Sequence, residues 1–306
     1  MKGLDVSRCF WEEYGKPMID AEFSEVADRI AVGLVGHGSE CFGFDDDLST
    51  DHDFDAGFCL WLTPEDERLF GFKLFRAYAK LPQEYRGCRI QNKSIFGNAH
   101  KGVHTIPEFY SFYTGCDGAP TSAEHWLSIP SHYLAEATNG EVFCDPLGEF
   151  TRIRNEILHG MPQDVWLKKT ASTALVMAQT GQYNFSRILS RGDAAAAAIT
   201  LSRFAEAAIE MIFLLNNAYA PYYKWLFRAA RDLPKLHQTV VDVERLITDT
   251  ALTAPQSAAL IETICGAVIE ELIARGLCTA QGDYLEPYAY MLNDRIADGN
   301  LRNQGL

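Results

Sequence analysis

The apolar residues of this chain change their period near residue 147, and no single structural layer accommodates both patterns. Before that point they come in short β-rich runs, Ala31–Val35, Phe58–Leu62, Cys88–Ile90 and Gly102–Ile106, separated by polar stretches. After it they recur at helical spacing over long windows, Val165–Gln179, Ala194–Asn217 and Pro255–Ala274, with Gly181, Gly192-Asp193 and Pro221 as the expected breaks. Short extended runs build sheets, whereas a 3.6-residue repeat builds helices that bury one face. The expectation is an α+β chain: a mixed sheet with flanking helices in residues 1–146, then an all-α helical bundle in residues 147–306. The length of 306 residues agrees, because single cores rarely grow beyond about 250 residues. Between the second and third runs, Thr63-Pro64-Glu65-Asp66 reads as a helix start, with Leu69, Phe70, Phe72, Leu74 and Phe75 as one buried face.

The stretch that carries chemistry runs from Leu34 to Phe54. An apolar strand turns on Gly36 and Gly38 at Ser39, passes through a polar loop, and ends with Asp51-His52-Asp53 ahead of another strand. Glycines let backbone N–H groups approach an anion closely, and a helix beginning near Ser39 would aim its positive end at phosphate. On an extended strand Asp51 and Asp53 share one face, and paired carboxylates suit Mg²⁺, which shares its octahedron with substrate phosphates. That is the equipment of two-metal phosphoryl transfer. A dinucleotide-binding reading of Gly33-x-x-Gly36-x-Gly38 fares worse, since the glycines lack the required order and the paired aspartates are left without a role.

These elements, Gly38-Ser39, Gly43-Phe44-Asp45-Asp46 and Ser49-Thr50-Asp51-His52-Asp53, resemble the DNA polymerase β-like nucleotidyltransferase superfamily, and look closest to a bacterial branch of unknown substrate. The resemblance implies that Gly38 and Ser39 contact the triphosphate and that Asp51 and Asp53 are catalytic metal ligands, holding magnesium, two ions by analogy. His52 departs from the pattern, which has an apolar residue there. Active members carry a third acid on a later strand, a base or second-metal ligand. His104, Glu108 and Asp145 are the candidates here, and geometry must decide between them.

In the helical half, Asn216 to Trp225 gathers two amides, three tyrosines, a lysine and a tryptophan. Tyr222 could stack on a base or sugar and Lys224 could pair with a phosphate; the plainer reading is that Tyr222, Trp225 and Leu226 pack a helix.

Net charge is −14, with 22 acids against 12 bases in residues 1–140 and 19 against 15 in the remainder. That balance disfavours a nucleic-acid partner. The opening lacks a signal-peptide core and no apolar run approaches the ~20 residues of a membrane span, so a cytoplasmic protein is expected. Eight scattered cysteines without zinc spacing read as reduced thiols. The resulting expectation is an enzyme that uses ATP to transfer AMP to a hydroxyl of a small molecule, releasing pyrophosphate, and it leaves a homodimer open. A protein hydroxyl as acceptor, and a nucleotide-sensing protein without turnover, are the alternatives.

Overall fold

The structure is a computed structural model in which residues 1–46, 55–90 and 101–306 are described. The fold is α+β, and the chain packs as two compact units: residues 1–121 with 133–160, and residues 122–132 with 161–306.

The first unit is built on a four-stranded mixed sheet of order β5-β2-β1-β6. Its strands are β1 (Ala31–Leu34), β2 (Cys59–Leu62), β5 (Gly102–Thr105) and β6 (Glu141–Cys144), while β3 (Glu84–Tyr85) and β4 (Cys88–Arg89) form a separate hairpin. That hairpin turns on Arg86 (φ 51°) and Gly87 (φ 82°), the two left-handed residues of the turn that matches strand twist. β1 pairs antiparallel with β2 and β6, and β2 pairs parallel with β5. All four residues of β1 are buried, so the sheet is covered on both faces. Gly33 is required there: a Cβ would lie 2.4 Å from the Glu141 carbonyl and 3.0 Å from the Trp61 ring.

One face carries Val32, Phe58, Leu60 and Leu62, packed with Val6, Phe10 and Trp11 and with Leu74 and Tyr78. These come from α1 (Gly3–Phe10), which continues through a wide π-turn into α2 (Lys16–Glu22), and from α3 (Pro64–Asp66) and α4 (Phe72–Tyr78). The other face presents Trp61, stacked 3.8 Å from the Phe150 ring and edge-on to Phe109. Phe109 lies on α5 (Ile106–Thr114); the chain then makes α6 (Ala123–Ser128), α7 (Ser131–Thr138) and α8 (Glu149–His159), which carries Phe150. α8 thus groups with the first unit although it lies beyond residue 146.

Thr63 starts α3 as the sequence predicts, accepting the Asp66 N–H at 3.1 Å. The apolar stripe after it behaves differently. Leu74 is fully buried and Phe70 packs on the core, but Leu69 and Phe72 are 68% and 66% exposed. The cause is a π-turn at Glu67–Gly71, whose extra residue rotates the helical phase so that one regular stripe no longer meets the core.

The described residues of the second unit are helical: α6, then α9 (Gln163–Met177), α10 (Ser186–Ser190), α11 (Ala194–Leu215), α12 (Leu226–Ala230), α13 (His237–Thr248), α14 (Ala254–Ala274), α15 (Glu286–Asp294) and α16 (Gly299–Asn303). α9 packs against α11 and α15. Its buried Lys168 donates to Asn293 Oδ1 (3.0 Å) and to the Gln304 carbonyl (2.5 Å). Gly192 ends a helix in the left-handed region (φ 76°), and Asp193 caps α11 through the Ala196 N–H at 2.9 Å. Gly181 does not break a helix. It sits within the π-helical run Ala178–Phe185, where a Cβ would meet the Phe204 ring at 2.4 Å and Ile261 at 2.8 Å, so its role is to let α11 and α14 close in. No helix among the described residues is long and apolar enough to cross a membrane.

Candidate functional site

Strand register brings four chain segments to one end of the sheet. Gly33 pairs with Cys59, Leu34 with Glu141, and Cys59 with Gly102, so β1 leaves this end while β2, β5 and β6 enter it. The loop Gly36–Ser39 therefore lies beside Asp55–Phe58, Lys101 and Asn139-Gly140.

That loop is fixed from several sides. The Asn139 side chain accepts the Gly36 N–H at 2.9 Å and donates to the Gly36 carbonyl at 2.8 Å, reproducing a strand-like pair of bonds. His37 N–H donates to the Tyr113 hydroxyl at 3.1 Å, and Gly140 N–H donates to the Cys41 carbonyl at 2.9 Å. Gly38 has φ 135°, and a Cβ there would lie 2.7 Å from the Glu40 carboxylate; only glycine fits. Ser39 is half-buried and precedes a single 3₁₀ turn, Glu40–Phe42, instead of the anticipated helix. Three residues generate no useful macrodipole, so any anion held here would rely on the loop's own N–H groups and on side chains.

Beneath the loop, Glu40 and Lys101 form an ion pair at 3.1 Å with both side chains buried, and Lys101 also donates to the Asp55 carbonyl. Burial pulls the Lys101 ammonium down, but the charges of Glu40 and Asp55 outweigh it, and Lys101 stays firmly protonated. Asp55 accepts the Gly57 N–H at 2.7 Å. Asp45 accepts the Gly3 N–H at 2.8 Å and lies 3.9 Å from the Lys2 ammonium, which ties the start of α1 to this loop. Behind Asn139, half-buried Arg154 donates to the Asn139 carbonyl at 3.3 Å; burial lowers its guanidinium.

The carboxylates and imidazole singled out from the sequence have these positions. Asp51 and Asp53, with His52, lie outside the described residues. Glu108 completes a capping box at the start of α5: it accepts the Thr105 N–H at 3.1 Å while Thr105 accepts the Glu108 N–H at 3.2 Å. Asp145 caps α8, accepting Gly148 N–H at 3.1 Å and Thr151 N–H at 2.7 Å. His104 pairs across the sheet with Trp61; burial holds its imidazole below its usual range against the pull of Glu108, and Nε2 has no hydrogen-bond partner among the described residues.

Sequence reasoning passed over one acid that the fold brings here. Glu136, on α7, is 9% exposed, and burial raises its carboxyl to about 7. Its charge is felt by Cys41 and by Tyr113, the residues that receive Gly140 and His37. Asn139-Gly140 ahead of a strand carried a turn signal, and Glu40 stood within the motif; a lone glutamate in a helix carried none.

In the second unit Tyr222 and Tyr223 are 42% and 68% exposed, with ring centroids 4.4 Å apart. The Tyr222 ring also lies edge-on to His132 at 5.6 Å. Exposed Lys224 places its ammonium 5.1 Å from the Trp225 ring centre, and the Arg228 guanidinium lies 5.9 Å from it.

Among the described residues, no cluster of three or more His, Cys, Asp or Glu side chains is arranged to hold a metal ion. No match was found among curated proteins. A crystal structure of a nucleotidyltransferase-like protein from Exiguobacterium sibiricum 255-15 is similar at 11% identity and a TM-score of 0.41, covering 93% of this chain and 81% of that one. Residues 126–226, from α6 to the start of α12, match the family described as Domain of unknown function (DUF4037).

Proposed function

We propose that the chain is a magnesium-dependent nucleotidyltransferase that moves a nucleoside monophosphate, AMP from ATP in the first instance, to a hydroxyl of a small-molecule acceptor and releases pyrophosphate. The observation that carries the reading is the strand register. The glycine loop leaving β1 and the residues entering β2 share one end of the sheet, and Asp51 and Asp53 precede β2 by only a few residues. A triphosphate held at that end by the loop's N–H groups would suit metal-binding carboxylates supplied by the segment that leads into β2. Gly38 and Ser39 would take the triphosphate. Asp51 and Asp53 would hold the magnesium, which when bound supplies charge neutralisation for the leaving pyrophosphate. For Asp145 and Glu108, an acid–base role would require them to give up helix caps worth about 1 kcal/mol each. Tyr222 and Lys224 would contact the nucleotide in this reading, by stacking and by phosphate pairing, and a cytoplasmic setting with ATP and no nucleic acid suits the acidic composition.

The test is pyrophosphate release by the purified full-length protein from each labelled triphosphate, with Mg²⁺ and a small-metabolite extract as acceptor. Release that needs magnesium and falls by about 10³-fold in Asp51→Asn or Asp53→Asn is expected. Tight triphosphate binding with no release in any extract sinks the enzyme reading. It would favour the sensing alternative, toward which the engagement of Glu108 and Asp145 as caps already points.

A further inference from the structure

We infer that Lys101 is a positioning residue for triphosphate binding: through the Glu40 carboxylate it holds the glycine loop in the shape that presents three consecutive backbone N–H groups to phosphate. The inference rests on the proposed function and deepens it by naming what sets the geometry of the loop.

The backbone donors on either side of Gly38–Glu40 are occupied. The Gly36 N–H goes to Asn139 and the His37 N–H to Tyr113, while Phe42 and Phe44 donate to the Ser39 carbonyl and Gly43 to that of Glu40. Between them, the N–H groups of Gly38, Ser39 and Glu40 make no hydrogen bond with any described residue. A run of unclaimed main-chain donors in a turn is a concavity suited to an anion.

Gly38 takes φ 135°, and a glycine in such a conformation is free to swing unless its neighbours restrain it. The restraint is Glu40. Its carboxylate folds back beneath Gly38, with Oε2 2.7 Å from where a Cβ would stand, and Oε1 meets the Lys101 ammonium at 3.1 Å. Lys101 is itself firmly rooted. The next residue, Gly102, donates to the Phe58 carbonyl at 3.0 Å, the Lys101 Cδ would lie 3.4 Å from a Cβ on Gly57, and the ammonium also donates to the Asp55 carbonyl. One cation thus ties the turn after β1 to the chain entering β2. The Lys101 and Glu40 side chains are only 6% and 7% exposed, so solvent and salt screen the tie little.

Attraction between Lys101 and phosphate does not account for the pair. The two charges cancel, which leaves little net field for an anion above them, and what the ammonium does electrostatically is keep Glu40 from repelling that anion. The pair acts through position: a binding group serves its ligand when held to within about 0.5 Å by the residues behind it.

The experiment uses the full chain and Mg·ATP. Lys101→Met alone strands the Glu40 charge, so the informative protein carries Glu40→Gln and Lys101→Met together, which removes both charges and breaks the tie. Its folding is checked by denaturant titration. Folded, it is expected to lose up to about 10²-fold in Mg·ATP affinity and in kcat/KM for pyrophosphate release. Without ligand, its Gly38, Ser39 and Glu40 amides should exchange with solvent faster than in the wild type, while the amides of β1 and β2 exchange as before. Glu40→Asp keeps both charges and shortens the tie by one methylene; a smaller loss of affinity is expected, and this variant decides the matter should the paired one not fold. Wild-type affinity in either folded variant, or wild-type exchange at the three loop amides, overturns the proposal and leaves nucleotidyl transfer standing. Mg·ATP binding by the wild type without pyrophosphate release overturns the transfer reading alone, and affinity still decides this proposal. No Mg·ATP binding by the wild type overturns both.

Discussion

The end of the sheet in the first unit and the Tyr222–Trp225 segment of the second both concentrate polar chemistry, yet they are built in opposite ways. At the sheet end the groups are spoken for: Gly36 between the two amide atoms of Asn139, buried Glu40 against buried Lys101, the His37 N–H on Tyr113. In the tyrosine segment the rings stand largely in solvent, and both cations rest over the Trp225 ring. The first is a preorganised frame, in which positions are set before a ligand arrives; the second is an adaptable surface that pays ordering costs when something binds. The contrast teaches that polar side chains can be held as a fixed frame in one unit and left as an adaptable surface in the other.

The contrast predicts unequal costs. Lys101→Met leaves Glu40 charged, buried and alone, and should destabilise the protein by about 3–5 kcal/mol in denaturant titration, with Glu40→Gln added to it recovering much of the loss. A cost under about 1 kcal/mol would show that the sheet end is not the rigid frame described. Glu136 sharpens the comparison through pH. Because its folded carboxyl sits near 7, above the ordinary 4.5, the native state holds this proton more tightly than the unfolded chain does. Stability should therefore fall as pH rises from about 4.5 to 7, by up to about 3 kcal/mol, and Glu136→Gln should flatten that slope. Thermal midpoints measured across this range decide it; identical slopes in the two proteins would contradict the burial argument. Gly181→Ala asks whether the difference lies between units or between segments. Pressing a methyl against Phe204 and Ile261 should cost about 1–3 kcal/mol, showing that the second unit also has unforgiving positions. Lys224→Ala should change stability by less than about 0.5 kcal/mol, as expected of an exposed side chain. A drop in ligand affinity in that variant with stability unmoved would mark the segment as a contact surface.

Much of the fold was legible in the sequence because its signals are local. Thr63-Pro64 starts a helix, Gly192-Asp193 ends one and caps the next, and the four predicted extended runs each contain a strand. The errors arose where distant residues decide. Gly181 reads as a break until Phe204 and Ile261 are seen to need its space, and the π-turn at Glu67–Gly71 turns Leu69 and Phe72 outward without a sequence signature of its own. The site divides the same way. The glycine loop announced itself through residue type and spacing. Thr105-x-x-Glu108 also carried a readable capping box, a cue that competes with any catalytic role for that glutamate. Asn139-Gly140 announces a turn but not its partner Gly36, and Lys101 and Glu136 gain their significance only when β1, β5 and α7 converge.

The assignment of residues 122–132 to the second unit, although they lie inside the span of the first, has a consequence for how the protein is made. Every residue of the first unit has been synthesised once the chain reaches Gly160, whereas Leu127 and Ile129 wait for Lys169, which donates to both of their carbonyls, and for the helices after it. On the ribosome, where the earlier unit folds first, α6 is thus a held place in an otherwise finished structure. A break anywhere between the units, whether by truncation or by a protease, leaves that short helix without its partners. The two units can be told apart in space, but neither can be cut out of the gene as one continuous piece.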